Sequence, residues 1–237
     1  NKGMKRNKTI IAVSALLITF VTGATSMYFM YKEKYGIVRS ATTAITQIIN
    51  PGILSTDVVD ASYEPVASPT FAMTDTTVKF SCQTTTGTLG TSTQQIYVEN
   101  PDAADGGWTL TIAATSGATA YWNSAVDYDF NDPDTLGCED GATDSDSLGG
   151  QLSINPSVGT LVKATCRTCG ITGITKGSSS AFNEGTLDSI TLLSAAAASD
   201  DIGNWVFTGV GLSQTIPQEQ PAANDYSINL TITVTAV

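Results

Sequence analysis

The sequence predicts an all-β fold, an antiparallel β-sandwich preceded by an N-terminal hydrophobic helix. Three observations lead to this fold class. Apolar and polar residues alternate with period two in several short runs, as they do in strands with one buried face. Gly, Pro, Asn and Asp separate these runs, and no stretch of domain length after residue 50 has helical periodicity. Many short strands with turn signals between them are typical of antiparallel sandwiches or barrels.

Residues 1–31 have the features of an export segment. The basic stretch Met4–Lys8 precedes an apolar run of membrane length, Thr9–Tyr31. Two interpretations remain open: a signal peptide with a cleavage site near Ala24–Ser26, or a signal anchor of about 20 apolar residues. Both predict a body that is extracellular or at the cell surface, and an anchor would contact the membrane. Residues 32–44 are predicted to be a stalk or an extension of the helix.

The predicted β domain spans residues 45–237. Strand-like text starts at Ile45–Leu54 and recurs to the end of the sequence. The other strand-like runs are 77–82, 94–100, 107–115, 149–157, 168–175, 188–196, 204–212 and 226–237. Because the runs are short and turn residues separate them, we expect neighbouring strands to pair antiparallel.

The charge is strongly segregated along the chain. Residues 1–39 hold seven of the 11 basic residues and one of the 22 acidic residues, so the remaining chain has a net charge of −17. This acidic body excludes a phosphate-binding surface, and we expect no nucleic-acid partner. The chain has no histidine. Ser-His-Asp and Cys-His catalysis and the usual zinc ligands are therefore excluded as well.

The four cysteines are expected to form two disulfides, because an exported chain meets an oxidising compartment. They are Cys82, Cys138, Cys166 and Cys169. Spacing alone leaves all three connectivities open. The pair in "TCRTCG" could also belong to a redox or zinc site, but the chain has no second Cys-x-x-Cys and no βαβ pattern around the first. We therefore favour a structural role for all four.

Acidic side chains cluster in the stretch 127–140. Asp127, Asp129 and Asn131 stand at positions one, three and five, as oxygen ligands do in an EF-hand loop. Asp132 stands at position six, where that loop needs a glycine, and Cys138 stands where it needs a bidentate glutamate. Two interpretations remain, a solvated loop or a structural calcium site of another type. The predicted calcium ligands are Asp127, Asp129, Asn131, Asp132 and Asp134.

Two separated stretches resemble the WxL-domain surface proteins of Gram-positive bacteria. "NPDAADGGWTLTI" contains Trp108-Thr109-Leu110 after two glycines, and the closing text contains Ile216-Pro217 and the strand Tyr226–Val234. The resemblance covers residues 45–237. The family's second Trp-x-Leu motif is absent, because Ile232-Thr233-Val234 stands in its place. The resemblance implies a secreted β-rich domain that attaches noncovalently to peptidoglycan.

The aromatic residues allow two interpretations. Trp108 and Leu110 alternate with Ile112 on one face of a predicted strand, which favours a position in the core. Trp122, beside Tyr121 and the acidic loop, is the strongest candidate for stacking on a sugar. The predicted binding residues are Trp108, Leu110, Tyr121 and Trp122.

We expect a protein that binds or builds structure at the cell surface and does not catalyse a reaction. The first hypothesis is noncovalent association with the cell wall or with another surface protein. The second is a self-assembling subunit of a filament or lattice that uses the N-terminal helix, which would make a homo-oligomer. The plentiful carboxylates are typical of a solvated loop and single out no catalytic pair. Structural calcium is the one cofactor that the sequence suggests.

Overall fold

A computed structural model describes residues 44–102, 106–132, 138–140 and 147–237. The predicted export segment, residues 1–31, and all but the last residue of the predicted stalk lie outside these ranges. The chain divides into two compact units, Asn1–Ile49 and Asn50–Val237. In the first unit, the described residues 44–49 form no helix or strand and are exposed. Within the described ranges, no helix has the length and apolar character that a membrane span requires.

The second unit is built from antiparallel strands, which confirms the predicted all-β class. The strands are β1 (Ser55–Val59), β2 (Gln83–Leu89), β3 (Gln95–Asn100), β4 (Trp108–Ala114), β5 (Tyr121–Trp122), β6 (Tyr128–Asp129), β7 (Gln151–Asn155), β8 (Thr160–Lys163), β9 (Ile174–Lys176), β10 (Ser180–Ala181), β11 (Ser189–Ala195), β12 (Gly203–Thr208), β13 (Val210–Ile216) and β14 (Leu230–Ala236). Short 3-10 turns at Gly117–Thr119 and Pro156–Val158 complete the regular structure of the described residues.

Two of the sheets are continuous with each other, because strands of one sheet lead directly into strands of the other. Their strand orders are β1-β3-β12-β8 and β10-β7-β13-β2. β12 continues into β13 through Gly209 alone, and β2 and β7 likewise lead into β3 and β8 after short breaks. Gly209 has a φ of 74° and donates its amide to the carbonyl of Gly90, at 2.8 Å. This conformation favours glycine, so Gly209 allows a long strand to leave one sheet and enter the next.

The third sheet has the order β14-β4-β11-β9. Residues of β4 alternate between buried and half-buried positions, as the period-two pattern predicted. Its inward side chains join one hydrophobic core with those of the other two sheets. At the centre of this core, the rings of Trp108 in β4 and Trp205 in β12 lie 5.5 Å apart. The sheets therefore bury their apolar faces against each other.

The structure contains the two predicted disulfides and selects one of the three connectivities. Cys82 is bonded to Cys138, and Cys166 is bonded to Cys169. The first bond ties the residue before β2 to the acidic stretch 127–140, which contains Cys138. The second closes a tight loop beside Asn204, whose side-chain oxygen accepts the amide hydrogen of Cys166 at 2.8 Å.

Candidate functional site

Trp108 and Leu110 are central core residues. Both side chains are completely buried, so they offer no surface to a ligand in this conformation. The indole nitrogen of Trp108 donates a hydrogen bond to the backbone carbonyl of Asp201, at 3.0 Å. This bond satisfies the polar edge of a buried tryptophan, as burial requires. Trp108 and Leu110 thus have the geometry of core residues. That the Trp-x-Leu motif binds a ligand stays a prediction.

The glycine before the motif explains how the chain enters β4. Gly107 has a φ of 83°, and a Cβ there would lie 2.5 Å from the carbonyl oxygen of Ala195. Its amide donates to the carboxylate of Asp201 at 2.8 Å, and Asp201 is completely buried. Asn100 adds a bond from its side-chain nitrogen to the Asp201 carbonyl, at 2.6 Å. One buried aspartate thus holds both the turn before β4 and the indole of Trp108.

The side chains of three predicted calcium ligands form hydrogen bonds with different local partners. The side chain of Asp127 accepts the amide of Ser124 at 3.0 Å, and that of Asp129 accepts the amide of Phe130 at 2.6 Å. Asn131 donates its side-chain nitrogen to the carbonyl of Ala118, at 2.9 Å. Asp132 is completely buried, and Asp134 lies outside the described residues.

Together, the four described ligands do not form a metal-binding set. Across the described part of the chain, no group of three or more His, Cys, Asp or Glu side chains could hold a metal ion. Calcium therefore stays a hypothesis from the sequence, and it depends on the part of the acidic loop that lies outside the described residues.

Trp122 lies in an aromatic cluster. Its ring stacks on Tyr128 with 5.8 Å between centroids and 9° between planes, and Tyr128 meets Tyr226 edge-on at 5.1 Å. The indole nitrogen of Trp122 donates to the side-chain oxygen of Gln214, at 2.9 Å. Gln214 is completely buried and donates to the Asp129 carbonyl, at 3.1 Å. The orientation of Trp122 is therefore fixed by a buried polar contact on one edge and by Tyr128 on one face.

Two adjoining cavities meet at this cluster. Their volumes are about 470 and 810 Å³, which lie within the range of small-molecule sites. Both are lined by Phe71, Met73, Trp122 and Tyr226. We call the two cavities together the aromatic cleft. Tyr121, the neighbour of Trp122 in β5, lines neither cavity.

The two halves of the aromatic cleft differ in character. The smaller cavity reaches the core, where Leu89, Ile112 and Leu152 form part of its wall. The larger cavity lies between segments 71–78 and 220–226, and polar side chains such as Gln83 and Asn224 line it. One end of the cleft can therefore accept apolar groups and the other can form hydrogen bonds.

Tyr128 titrates abnormally because of this environment. Burial raises the pKa of its phenol above the ordinary value, and the neighbouring Tyr226 raises it further. The neutral phenol is the favoured form, since a phenolate at this position would lose hydration. Tyr128 therefore stays uncharged to a higher pH than an ordinary tyrosine.

Sequence analysis did not identify Phe71, Met73 or Gln214 as site residues. Tyr226 had a weak signal, since it begins the closing strand pattern of the WxL resemblance. Phe71 and Met73 lie in a Thr- and Pro-rich segment without periodicity, and they reach the cleft because Met73 forms an isolated bridge with Gly87 of β2. Only the folded chain brings these residues beside Trp122. Comparison with protein families, with characterised proteins and with solved structures found no match to this chain.

Proposed function

We propose that this chain is an exported WxL-like β-sandwich that binds a surface ligand in the aromatic cleft and performs no catalysis. The position of Trp122 at the junction of the two cavities is the observation that carries the proposal. The ligand class that fits best is a glycan of the cell wall, and a glycan-bearing surface protein would present the same chemistry. The two disulfides support export, because such bonds persist in oxidising compartments. Export would follow from the N-terminal segment, which would also supply a membrane contact if retained.

The shape of the cleft favours an amphipathic ligand such as a sugar. Sugars present apolar C–H faces that pack on flat aromatic rings and hydroxyl groups that need hydrogen-bonding partners. Trp122 and Tyr226 supply aromatic surface, and Asn224 supplies an amide in the larger cavity. Trp122 has little freedom to turn, because Gln214 and Tyr128 hold it. A preorganised aromatic group loses little entropy when a ligand binds.

The carboxylates of the cleft favour binding over glycan cleavage. Glycosidases use a pair of carboxyl groups on either side of the scissile bond. Asp57 lines the smaller cavity and Asp75 lines the larger one, so neither cavity has a pair among its lining residues. Asp57 is engaged by the amide of Val58, at 2.7 Å. One carboxylate in each cavity, with that of Asp57 engaged by its neighbour, supports a cleft that binds through stacking and hydrogen bonds.

Sedimentation with isolated Gram-positive cell walls tests this function. The full chain in mild detergent should pellet with the walls, and Trp122→Ala should weaken binding by about 30-fold, the loss typical of an aromatic hot spot. Asn224→Ala is a second variant that does not threaten the fold, because Asn224 is exposed. Tyr63→Ala is the matched control, since Tyr63 is an exposed aromatic residue that does not line the cleft. Equal binding of all three variants, or failure of the parent chain to pellet, would overturn the proposal.

A second candidate function is a self-assembling surface subunit, and a separate observation favours it. Ile45, Ile48, Ile49 and Ile53 are each at least 85% exposed. Four such side chains within nine residues form an apolar segment that a monomer in water would leave uncovered. A homo-oligomer would cover them.

A further inference from the structure

The open edge of β14 is the feature from which we start. β14 is the last strand of its sheet, and in the part of the chain that the structure describes its one strand partner is β4. An open edge presents backbone amides and carbonyls that can pair with another strand. Soluble proteins commonly protect such edges with charges, prolines or bulges. The sequence of β14, LTITVTA, contains no charge and no proline.

The hydrogen bonds beside β14 show which of its backbone groups face outward. The amide of Thr115 donates to the carbonyl of Asn229, and the amide of Val237 donates to that of Gly107. Hydrogen-bonded pairs alternate along an antiparallel ladder, so the odd-numbered residues of β14 are the ones that bond to β4. The backbone groups of Leu230, Ile232 and Val234 therefore point away from β4. They form a row of donors and acceptors at the edge of the sheet.

The apolar side chains of β14 are also incompletely buried. In register, Ile232 lies beside Ile112 and Val234 lies beside Leu110. Ile112 and Leu110 are at most 1% exposed, whereas the two β14 residues are only half-buried although they face the same core. β4 is covered on both sides by strands and β14 on one side. β1 comes close to β14 without pairing with it, and Thr56 of β1 lines the smaller cavity together with Ile232. A further strand that pairs with β14 would complete the burial of its apolar face beside that cavity.

The segment at residues 44–50 has the properties of that missing strand. It forms no helix or strand of its own, and it exposes Ile45, Ile48 and Ile49. Pro51 follows it, and proline suits the end of a strand because it has no amide hydrogen. Residues 40–56 and 228–237 contain no charged residue, although the body has a net charge of −17. These two stretches can therefore approach each other without the repulsion that opposes other contacts between acidic copies.

We propose that residues 44–50 of one copy of this chain add as a strand to the open edge of β14 in a second copy. Ile45 and Ile49 would then lie on the core side with Ile232, and Ile48 would lie on the outer side with the exposed threonines of β14. The two surfaces are different patches of the same molecule, so each added copy offers a new β14 edge. Such a heterologous contact builds a filament or a closed ring. This assembly goes beyond wall binding, and it rests on the second candidate function, the self-assembling subunit, for which it specifies the contact.

Cysteine cross-linking of the full chain tests the contact. All four native cysteines are in disulfides, so an introduced pair can be oxidised selectively. Paired strands bring Cα atoms within the distance that a disulfide requires. Ile48→Cys is combined in turn with Thr231→Cys, Thr233→Cys and Thr235→Cys, which covers the registers of the outer face. Ile48→Cys with Thr191→Cys is the matched control, because Thr191 is an exposed threonine of the same sheet on an inner strand.

At least one of the three pairs should give a ladder of dimers and higher species on a non-reducing gel, and the control should stay monomeric. Mixing a chain that carries only Ile48→Cys with one that carries only Thr233→Cys, or the threonine that gave the ladder, should give a dimer and no ladder. No cross-link in any register would overturn the proposal. A cross-link within one chain, seen as a monomer of altered mobility, would show that the segment pairs with β14 of its own chain. That result would overturn the proposed contact between copies.

Competition in solution provides an independent measurement that needs no variant of the chain. In sedimentation velocity, the full chain in detergent should show a mass above the monomer that rises with concentration. A synthetic peptide of residues 40–54 should return it to the monomer, since the peptide occupies the edge of β14 without offering a new one. The same peptide with serine at positions 45, 48 and 49 should have no effect. A monomer at every concentration, or equal effects of the two peptides, would refute the contact.

Discussion

Replacement of Gly107 by alanine tests the most specific structural demand of the Trp-x-Leu motif. The residue has a φ of 83°, and its added Cβ would lie 2.5 Å from the carbonyl oxygen of Ala195 and 2.9 Å from the backbone of Ala196. These neighbours are backbone atoms next to β11, so they cannot rotate away as a side chain could. The turn must therefore move, and the amide of Gly107 must leave the carboxylate of Asp201.

The expected loss of stability follows from two contributions. A left-handed conformation costs an alanine about 1–2 kcal/mol. Loss of a hydrogen bond between buried groups costs about 1–3 kcal/mol more. Gly107→Ala should therefore lower the free energy of unfolding by about 2–5 kcal/mol by these two principles. Gly117→Ala is the matched control, because Gly117 has a φ of 80° and no atom within 4 Å of the added Cβ. The control should lose only the conformational part, about 1–2 kcal/mol.

Urea unfolding followed by tryptophan fluorescence measures both variants. Trp108 and Trp205 are completely buried, so their emission reports directly on the core. The difference between the two variants isolates the contact with the backbone near β11 and the bond to Asp201. Equal losses for Gly107→Ala and Gly117→Ala would refute this account of the turn.

Three further predictions concern the disulfides, the buried tyrosine and the acidic loop. Replacing Cys82 and Cys138 by serine should lower the free energy of unfolding by about 4 kcal/mol, because these residues are 56 positions apart and loop entropy grows with length. Replacing Cys166 and Cys169, which are 3 positions apart, should lower it by only about 2 kcal/mol. Equal losses in urea unfolding would contradict this account. Since burial raises the pKa of Tyr128, its contribution to stability should be complete below the unfolded value near 10 and be lost as the pH rises above it. Tyr128→Phe should reduce this alkaline loss, which melting temperatures from neutral to alkaline pH would show, and an unchanged pH profile would contradict the assignment. If the acidic loop holds structural calcium, the melting temperature should be higher with calcium than with a chelator, and equal values would remove that hypothesis.

The sequence predicted strands well where burial follows an apolar pattern. β4 and β11 fall inside the predicted runs 107–115 and 188–196, and their inward residues are apolar. β2 was missed because its inward residues include Gln83 and Thr85, which give no apolar periodicity. Those side chains bond to the segment beside them, with Thr76 donating to Gln83 at 2.8 Å. A strand that buries polar groups against hydrogen-bonding partners cannot be distinguished from a loop by hydropathy.

The candidate site, like the strands, could be predicted from the sequence only in part. Trp122 could be singled out because it stands beside Tyr121 and the acidic loop, where a partly exposed aromatic residue is expected. The cavity that it lines could not be predicted, since its other wall comes from segments far away along the chain, including Phe71 and Tyr226. Tyr121 illustrates the same limit, because neighbours in a strand point to opposite faces and the sequence does not say which face meets the cleft.

The departure from the WxL pattern connects the aromatic cleft with the edge of the sheet. Ile232-Thr233-Val234, at the position of the second Trp-x-Leu, lies beside Ile112, Thr111 and Leu110 in register, so the two motif positions are neighbours in one sheet. Ile232 also lines the smaller cavity. A tryptophan there would fill part of that space and cover part of the open edge. In this chain an isoleucine leaves both available, so the residue at which the sequence departs from the WxL resemblance contributes to the proposed cleft and to the proposed assembly surface.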